Sequence, residues 1–172
     1  MFLDFIKDFF IKRKLKNRLS QFSSNFSVEK IKTIGIIVDE SYFLDKHKLV
    51  QELLGFEIDV DDIQLMIYKD KIKKTEVIEV PFLSYKDLKW NGSIENQQVK
   101  KFISQNFDLL INYYDIEKAP LLLVSQQSKA KFKVGFATID KRINHFMIDT
   151  AAENYIVFTN ELFRYLKILN KI

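Results

Sequence analysis

The stretch Lys32-Thr33-Ile34-Gly35-Ile36-Ile37-Val38 is a near-continuous apolar run that ends in Asp39. Successive side chains of a strand point to opposite faces, so such a run reads as a strand buried on both. A sheet buried on both faces needs helices above and below it, and the flanking sequence supplies them. Residues 45–55 place Leu49, Val50, Leu53 and Leu54 at helical spacing. Ile63-Gln64-Leu65-Met66-Ile67-Tyr68 reads as a second strand, and residues 95–106 as a helix with Val99, Phe102 and Ile103 on one face. Asp108-Leu109-Leu110-Ile111-Asn112-Tyr113-Tyr114 repeats the buried-strand pattern and closes on Asp115. Residues 121–127 read as a helix that can begin at Pro120, Phe132-Lys133-Val134-Gly135-Phe136 as a strand, and residues 144–148 as one more. Strands alternating with helices imply βαβ crossovers. The expected fold is α/β: a Rossmann-like, mainly parallel sheet of five to six strands with helices on both faces, plus an N-terminal amphipathic helix.

Other segments give local expectations. The basic run at residues 69–74 reads as a solvated turn. Residues 76–81 read as a short third strand whose Pro81 marks an edge or an end. Trp90-Asn91-Gly92 is a turn signal, and the 57–92 segment is expected to add an antiparallel edge. Thr150-Ala151-Ala152-Glu153 reads as a capping box, opening a final helix with Tyr155, Phe158, Leu162, Leu166 and Leu169 inward. At 172 residues the chain is long enough for one domain with a sizeable core. The division read from the sequence is a basic arm over 1–26 and a single α/β domain over 27–172.

The arm is the unusual part. The chain has 27 Lys+Arg against 23 Asp+Glu, a net charge of +4. Residues 2–22 hold Lys7, Lys12, Arg13, Lys14, Lys16 and Arg18 against Asp4 and Asp8, which accounts for the whole excess. Screening over about 8 Å makes that clustering matter more than the total. Read as a helix, this segment has two apolar stripes. Phe2, Leu3, Phe5, Ile6, Phe9 and Phe10 form one; Ile11, Leu15, Leu19, Phe22 and Phe26 form another on nearly the opposite side. The second is expected to dock on the body and the first to face a membrane, an assembly or a second copy, against the plainer reading of a kinked helix buried in its own domain. Ser23, Ser24, Asn25 and Ser27 read as a short polar linker. Apolar residues precede the positive charges, the reverse of a secretory leader, and charge interrupts the apolar run by Asp4, so no membrane span is expected. The expected location is cytoplasmic, or peripheral on the cytoplasmic membrane face.

Several chemistries are excluded. There is no cysteine, hence no disulfide, thiolate metal site or cysteine nucleophile. Two histidines, His47 and His145, leave no multi-histidine metal site. The four glycines form neither a G-x-G-x-x-G nor a Walker-type loop. Ligands of open α/β sheets bind at the carboxyl ends of the strands. Asp39, Tyr113, Asp115 and Asp149 fall at such ends and form the candidate ligand edge. The three aspartates have the chemistry to hold a magnesium ion or a ribose, but they equally fit turn and helix caps, which is the favoured reading. No cofactor is expected.

Phe107-Asp108-Leu109-Leu110-Ile111-Asn112-Tyr113-Tyr114, Ser128-Lys129-Ala130-Lys131-Phe132-Lys133-Val134-Gly135-Phe136 and Glu161-Leu162-Phe163-Arg164-Tyr165-Leu166-Lys167-Ile168-Leu169 resemble an uncharacterised family of Bacteroidota, mostly flavobacteria, over nearly the whole chain. That resemblance implies an organism group and no mechanism. Residues 107–136 alone are similar to the N-terminal Rossmann half of heptosyltransferase-type glycosyltransferases; no catalytic residue carries over, and the chain is too short for the nucleotide-sugar half.

The leading functional expectation is a non-enzymatic binding or adaptor protein. It would dock on a ribosome/RNA or the cytoplasmic membrane face through Lys7, Lys12, Arg13, Lys14, Lys16 and Arg18, with Phe2, Phe5, Ile6, Phe9 and Phe10 as the apolar contact stripe. A homodimer through that stripe is a further option. The alternative is a nucleotide- or sugar-binding protein or enzyme at the strand edge.

Overall fold

A computed structural model of the chain describes residues 2–18, 30–56, 58–72, 77–89 and 91–172. Its elements, in order, are α1 (Phe2–Arg18), β1 (Ile34–Asp39), α2 (Lys46–Leu54), β2 (Ile63–Tyr68), β3 (Phe82–Leu83), α3 (Gln97–Ser104), β4 (Leu109–Tyr113), α4 (Ala119–Gln127), β5 (Phe132–Phe136), β6 (Phe146–Ile148) and α5 (Tyr155–Ile168). The six strands form one sheet in the order β3-β2-β1-β4-β5-β6, and every ladder in it is parallel. The chain therefore builds outward from β1 in one direction, returns, and builds outward from β4 in the other. That reversal between β1 and β4 is the topological switch point of a Rossmann-like fold.

The apolar runs explain the centre of the sheet. Ile34, Ile36, Ile37 and Val38 of β1 and Leu109, Leu110 and Ile111 of β4 are fully buried. Adjacent residues reach opposite layers: the Tyr113 ring packs on Phe158 of α5, with centroids 5.0 Å apart, while the Tyr114 hydroxyl meets Ser125 of α4. α2 and α5 share one layer; α1 and α3 lie against α4 in the other. Ile11 and Leu15 of α1 are buried and belong to the common core. Among the described residues no helix is long and apolar enough to cross a membrane.

Four local expectations are corrected. The short third strand lies at Phe82–Leu83 rather than 76–81: Pro81 has no N–H to give a ladder, and only its carbonyl is used, accepting from Ile67 N–H at 3.0 Å. Residue 76 lies outside the described residues. That edge is parallel, and the antiparallel element reduces to an isolated Leu88–Ile94 bridge. α5 begins at Tyr155 with Asn154 as its N-cap, and no side chain caps it. The Thr150–Glu153 capping box does not start that helix, because this turn is pinned elsewhere: Ala152 is buried and its carbonyl accepts the Tyr113 hydroxyl at 2.5 Å. The basic run after β2 is also not wholly solvated. Lys69 is largely buried and ion-paired with Glu40, while residues 73 and 74 lie outside the described residues. Asn91-Gly92 does turn, with Gly92 at φ 83°; Trp90 lies outside the described residues.

Candidate functional site

The carboxyl ends of β1, β2 and β4 converge at the switch point. Asp39 closes β1, and its Oδ1 accepts the Ser41 N–H at 3.0 Å, the turn-capping role that short acidic side chains favour. Its Oδ2 lies 2.8 Å from Nζ of Lys118, the N-cap residue of α4. The same ammonium donates to both carboxylate oxygens of Asp70, at 3.1 and 3.0 Å. It also sits over the rings of Tyr42 and Tyr68, 4.6 and 4.7 Å from their centroids, within cation–π range. Tyr68 Oη donates to Asp70 Oδ1 at 2.7 Å, and the Asp70 N–H donates to Ser41 Oγ at 2.9 Å. Burial alone would raise the Asp70 carboxyl, but the Tyr68 and Lys118 donors prevail and hold it below its ordinary value. Burial, then Asp70, pushes the Tyr68 phenol strongly up. The crevice that accepts ligands in open α/β sheets thus holds one buried cation, two carboxylates and two tyrosines in mutual contact, with Lys118 ion-paired to both carboxylates.

The other expected edge residues do not join this cluster. Tyr113 points into the opposite layer and packs with Phe43, Phe136 and Phe158; burial, then Asp115, raises its hydroxyl pKa. Asp115 is half-buried and Asp149 exposed. Among the described residues no group of three or more acidic or histidine side chains is placed to hold a metal ion.

α1 is tied to this edge. Asp8 accepts the Ala119 N–H at 2.8 Å and the Tyr85 hydroxyl, and pairs with Lys12 at 2.7 Å. It therefore caps α4, whose own N-cap residue provides no side-chain cap. Lys12 donates to the Glu117 carbonyl, Lys16 lies 2.9 Å from the Glu117 carboxylate, and Arg142 donates to the Lys16 carbonyl at 2.7 Å. Of the expected anion-binding set, Lys12 and Lys16 are neutralised within the molecule and Arg13 is exposed. The side chains of Lys7, Lys14 and Arg18 lie outside the described residues, as do those of Phe2, Leu3 and Phe5, and Leu19, Phe22, Phe26 and the Ser23–Ser27 linker residues altogether. Ile6 is half-buried. Phe9 and Phe10 are 54% and 59% exposed, their rings edge to face at 5.8 Å.

Neither histidine is placed for catalysis. His47 is exposed. His145 Nδ1 accepts the Lys133 N–H at 2.9 Å and its ring stacks on Phe132; burial, then Lys133, lowers its pKa to about 4. Sequence reasoning missed Lys118, Asp70, Tyr68 and the capping role of Asp8. It also missed a buried network in which Asn112 donates to Asn144 at 2.7 Å, Ser125 donates to Asn112 at 2.7 Å, and Lys133 donates to the Ser125 carbonyl at 2.6 Å. Burial pulls the Lys133 ammonium down to about 8. The available signal was Asn112 and Lys133 interrupting runs that are otherwise apolar.

The chain matches a family of unknown function (DUF6913) over residues 7–169 and belongs to it. No curated protein and no solved structure matches it.

Proposed function

We propose that this family member is a non-enzymatic docking protein that seats its N-terminal helix on an anionic lipid surface. The observation that carries the reading is the orientation of α1. Ile11 and Leu15 bury one side in the core, and Asp8, Lys12 and Lys16 tie it to α4 and to the loop that precedes it. Phe9 and Phe10 remain exposed beside Arg13, on the segment that holds the chain's entire excess charge. Bulky apolar side chains enter the headgroup boundary, and each nearby Lys or Arg adds about 1 kcal/mol on an anionic leaflet. Two phenylalanines beside Arg13, with Lys12 and Lys16 already paired, give reversible attachment. Phenylalanine also stacks on bases, but the pair is packed edge to face on itself, which suits partition into acyl chains better than two parallel stacking platforms.

The test is flotation of the full chain with vesicles of phosphatidylcholine alone or with phosphatidylglycerol, beside a poly(U) binding assay. A fully buried Phe is worth about 1.5–3 kcal/mol. Replacing Phe9 and Phe10 by Ser should therefore lower partitioning by about tenfold or more, with the melting temperature unchanged. Arg13→Glu and added salt should weaken it further. Absence of flotation on anionic vesicles, or flotation indifferent to the double substitution, overturns the reading. Binding to poly(U) without flotation moves the surface to RNA, and a concentration-dependent dimer lost in the double variant moves it to a second copy of the chain.

A further inference from the structure

α1 does not stand alone at the carboxyl edge of the sheet. After β1 the chain turns, and the Tyr42 and Phe43 N–H groups both donate to the Asp39 carbonyl, at 3.3 and 3.0 Å. Phe43 then plugs the core, its ring centroid 4.8 Å from that of Tyr113 and 6.2 Å from that of Tyr155. The side chains on either side of it are left outside: Tyr42 is 64% and Leu44 74% exposed. Two contacts place this loop beside α1. The Lys118 ammonium lies over the Tyr42 ring, and the next residue, Ala119, gives its N–H to Asp8. Asp8, Lys12 and Lys16 form the strip of α1 that meets α4 and the loop before it. Phe9 and Arg13 each follow a member of that strip, so they project about 100° further round the helix, on the flank next to this edge.

The charge along this edge is uneven. The stretches 39–48, 69–79 and 117–118, which lie at or after the ends of β1 and β2 or just before α4, hold seven acidic and seven basic residues. The excess positive charge of the N-terminal segment is therefore not offset there. Farther along, Asp115 and the stretch 137–154 hold Asp115, Asp140, Asp149 and Glu153 against only Lys141 and Arg142. Exposed apolar groups occur on both halves: Leu44 on the balanced one, and Ile156, three residues after Glu153, on the acidic one. An anionic bilayer attracts the first and repels the second. A tyrosine ring, apolar with a polar tip, suits the headgroup level, and leucine the acyl boundary. We propose that the β1–α2 loop is a second lipid contact. Leu44 enters the acyl boundary of an anionic phospholipid bilayer, with Tyr42 at headgroup level and Phe9 and Phe10 alongside. The protein then stands on the β1–β2 half of its carboxyl edge, and the β6 half tilts away. This contact rests on docking through α1, and its test separates the two.

The chain has no cysteine, so one can be introduced at a time and labelled with the polarity-sensitive dye NBD. Leu44→Cys, Ile156→Cys and Ile168→Cys all replace exposed side chains, and a melting curve checks that each labelled protein is folded. With vesicles of phosphatidylcholine and phosphatidylglycerol, the label at 44 should brighten severalfold and be quenched by doxyl-labelled lipid. The labels at 156 and 168 should stay as they are in water. In flotation of the unlabelled chain, Leu44→Asp should lower partitioning about tenfold. Flotation of the full chain with a label at 44 that stays dim, or flotation indifferent to Leu44→Asp, overturns the second contact and leaves docking through α1 intact. Equal brightening at 44 and 156 overturns the orientation. A full chain that does not float at all overturns docking through α1, and this contact with it.

Discussion

Replacing Asp8 by Ala tests whether α1 is an integral part of the fold. The Asp8 carboxylate makes three contacts: the Ala119 N–H at the start of α4, the Tyr85 hydroxyl and Lys12. Losing a helix cap costs about 1 kcal/mol. Depriving the half-buried Tyr85 hydroxyl of its carboxylate acceptor costs about another 1 kcal/mol. The Lys12 pair, with side chains 25% and 17% exposed, adds a few tenths up to about 1 kcal/mol. The total is about 2–3 kcal/mol. With a urea slope of about 2 kcal/mol/M the midpoint should fall by about 1 M or slightly more. Asp8→Asn keeps the acceptor and loses the charge, so it should cost about half as much. Urea unfolding gives the energy, and hydrogen exchange at the Ala119 amide gives the location, with protection falling in step with stability. A loss below about 0.5 kcal/mol, with Ala119 protection unchanged, would refute the view that this carboxylate joins α1 to α4.

Two further outcomes follow from the buried polar groups. Gly135→Ala places a Cβ 2.4 Å from Asn144 Nδ2 and should displace the amide bonded to Asn112, costing about 3 kcal/mol in denaturant unfolding; a cost under about 1 kcal/mol would mean that the network is loose. His145 accepts the Lys133 N–H only while neutral and has a folded pKa of about 4 against an unfolded value of about 6.5. The unfolded chain binds the extra proton between those values, so stability should fall as pH drops from about 6.5 to about 4, by about 2 kcal/mol after discounting for partial exposure. Asp108 and Asp140, each held near about 2, act in a lower window, so His145→Gln should flatten the curve above pH 4 and leave the acid limb.

The sheet was legible because its central strands are buried on both faces, and burial on both faces leaves a continuous apolar run that few other structures produce. β3 was misplaced because two residues carry almost no periodicity, and the neighbouring Val77–Val80 sequence has higher strand propensity than the segment that pairs. Pairing is decided there by which carbonyls reach β2, a tertiary matter. The capping box failed for a similar reason: Thr150 and Glu153 have the right spacing, but the Tyr113 hydroxyl holds the Ala152 carbonyl. At the site, the sequence placed Asp39 correctly at a strand end. It had no means of pairing Asp39 with Lys118, which is 79 residues away and brought in only by the β4–α4 connection. Asp8 looked like a charge opposed to docking because its partner, a backbone N–H of α4, leaves no mark in the side-chain pattern.

Closure of the switch point and docking of α1 are two sides of one arrangement. In a sheet of this strand order, the helix that follows β4 would aim its first N–H groups into the crevice, where an anion could be held. Here Asp8 takes the Ala119 N–H from one side, while Lys118, one residue earlier, is turned inward and neutralised by Asp39 and Asp70. The positive end of α4 is therefore spent on the molecule's own carboxylates. α2 differs in that its N-cap residue, Asp45, makes no side-chain cap, and the Lys46 and Lys69 ammonium groups beside its start pair with the Glu40 carboxylate. The same balance leaves α1 with its inner charges consumed by Glu117 and Asp8, and with Phe9, Phe10 and Arg13 facing outward.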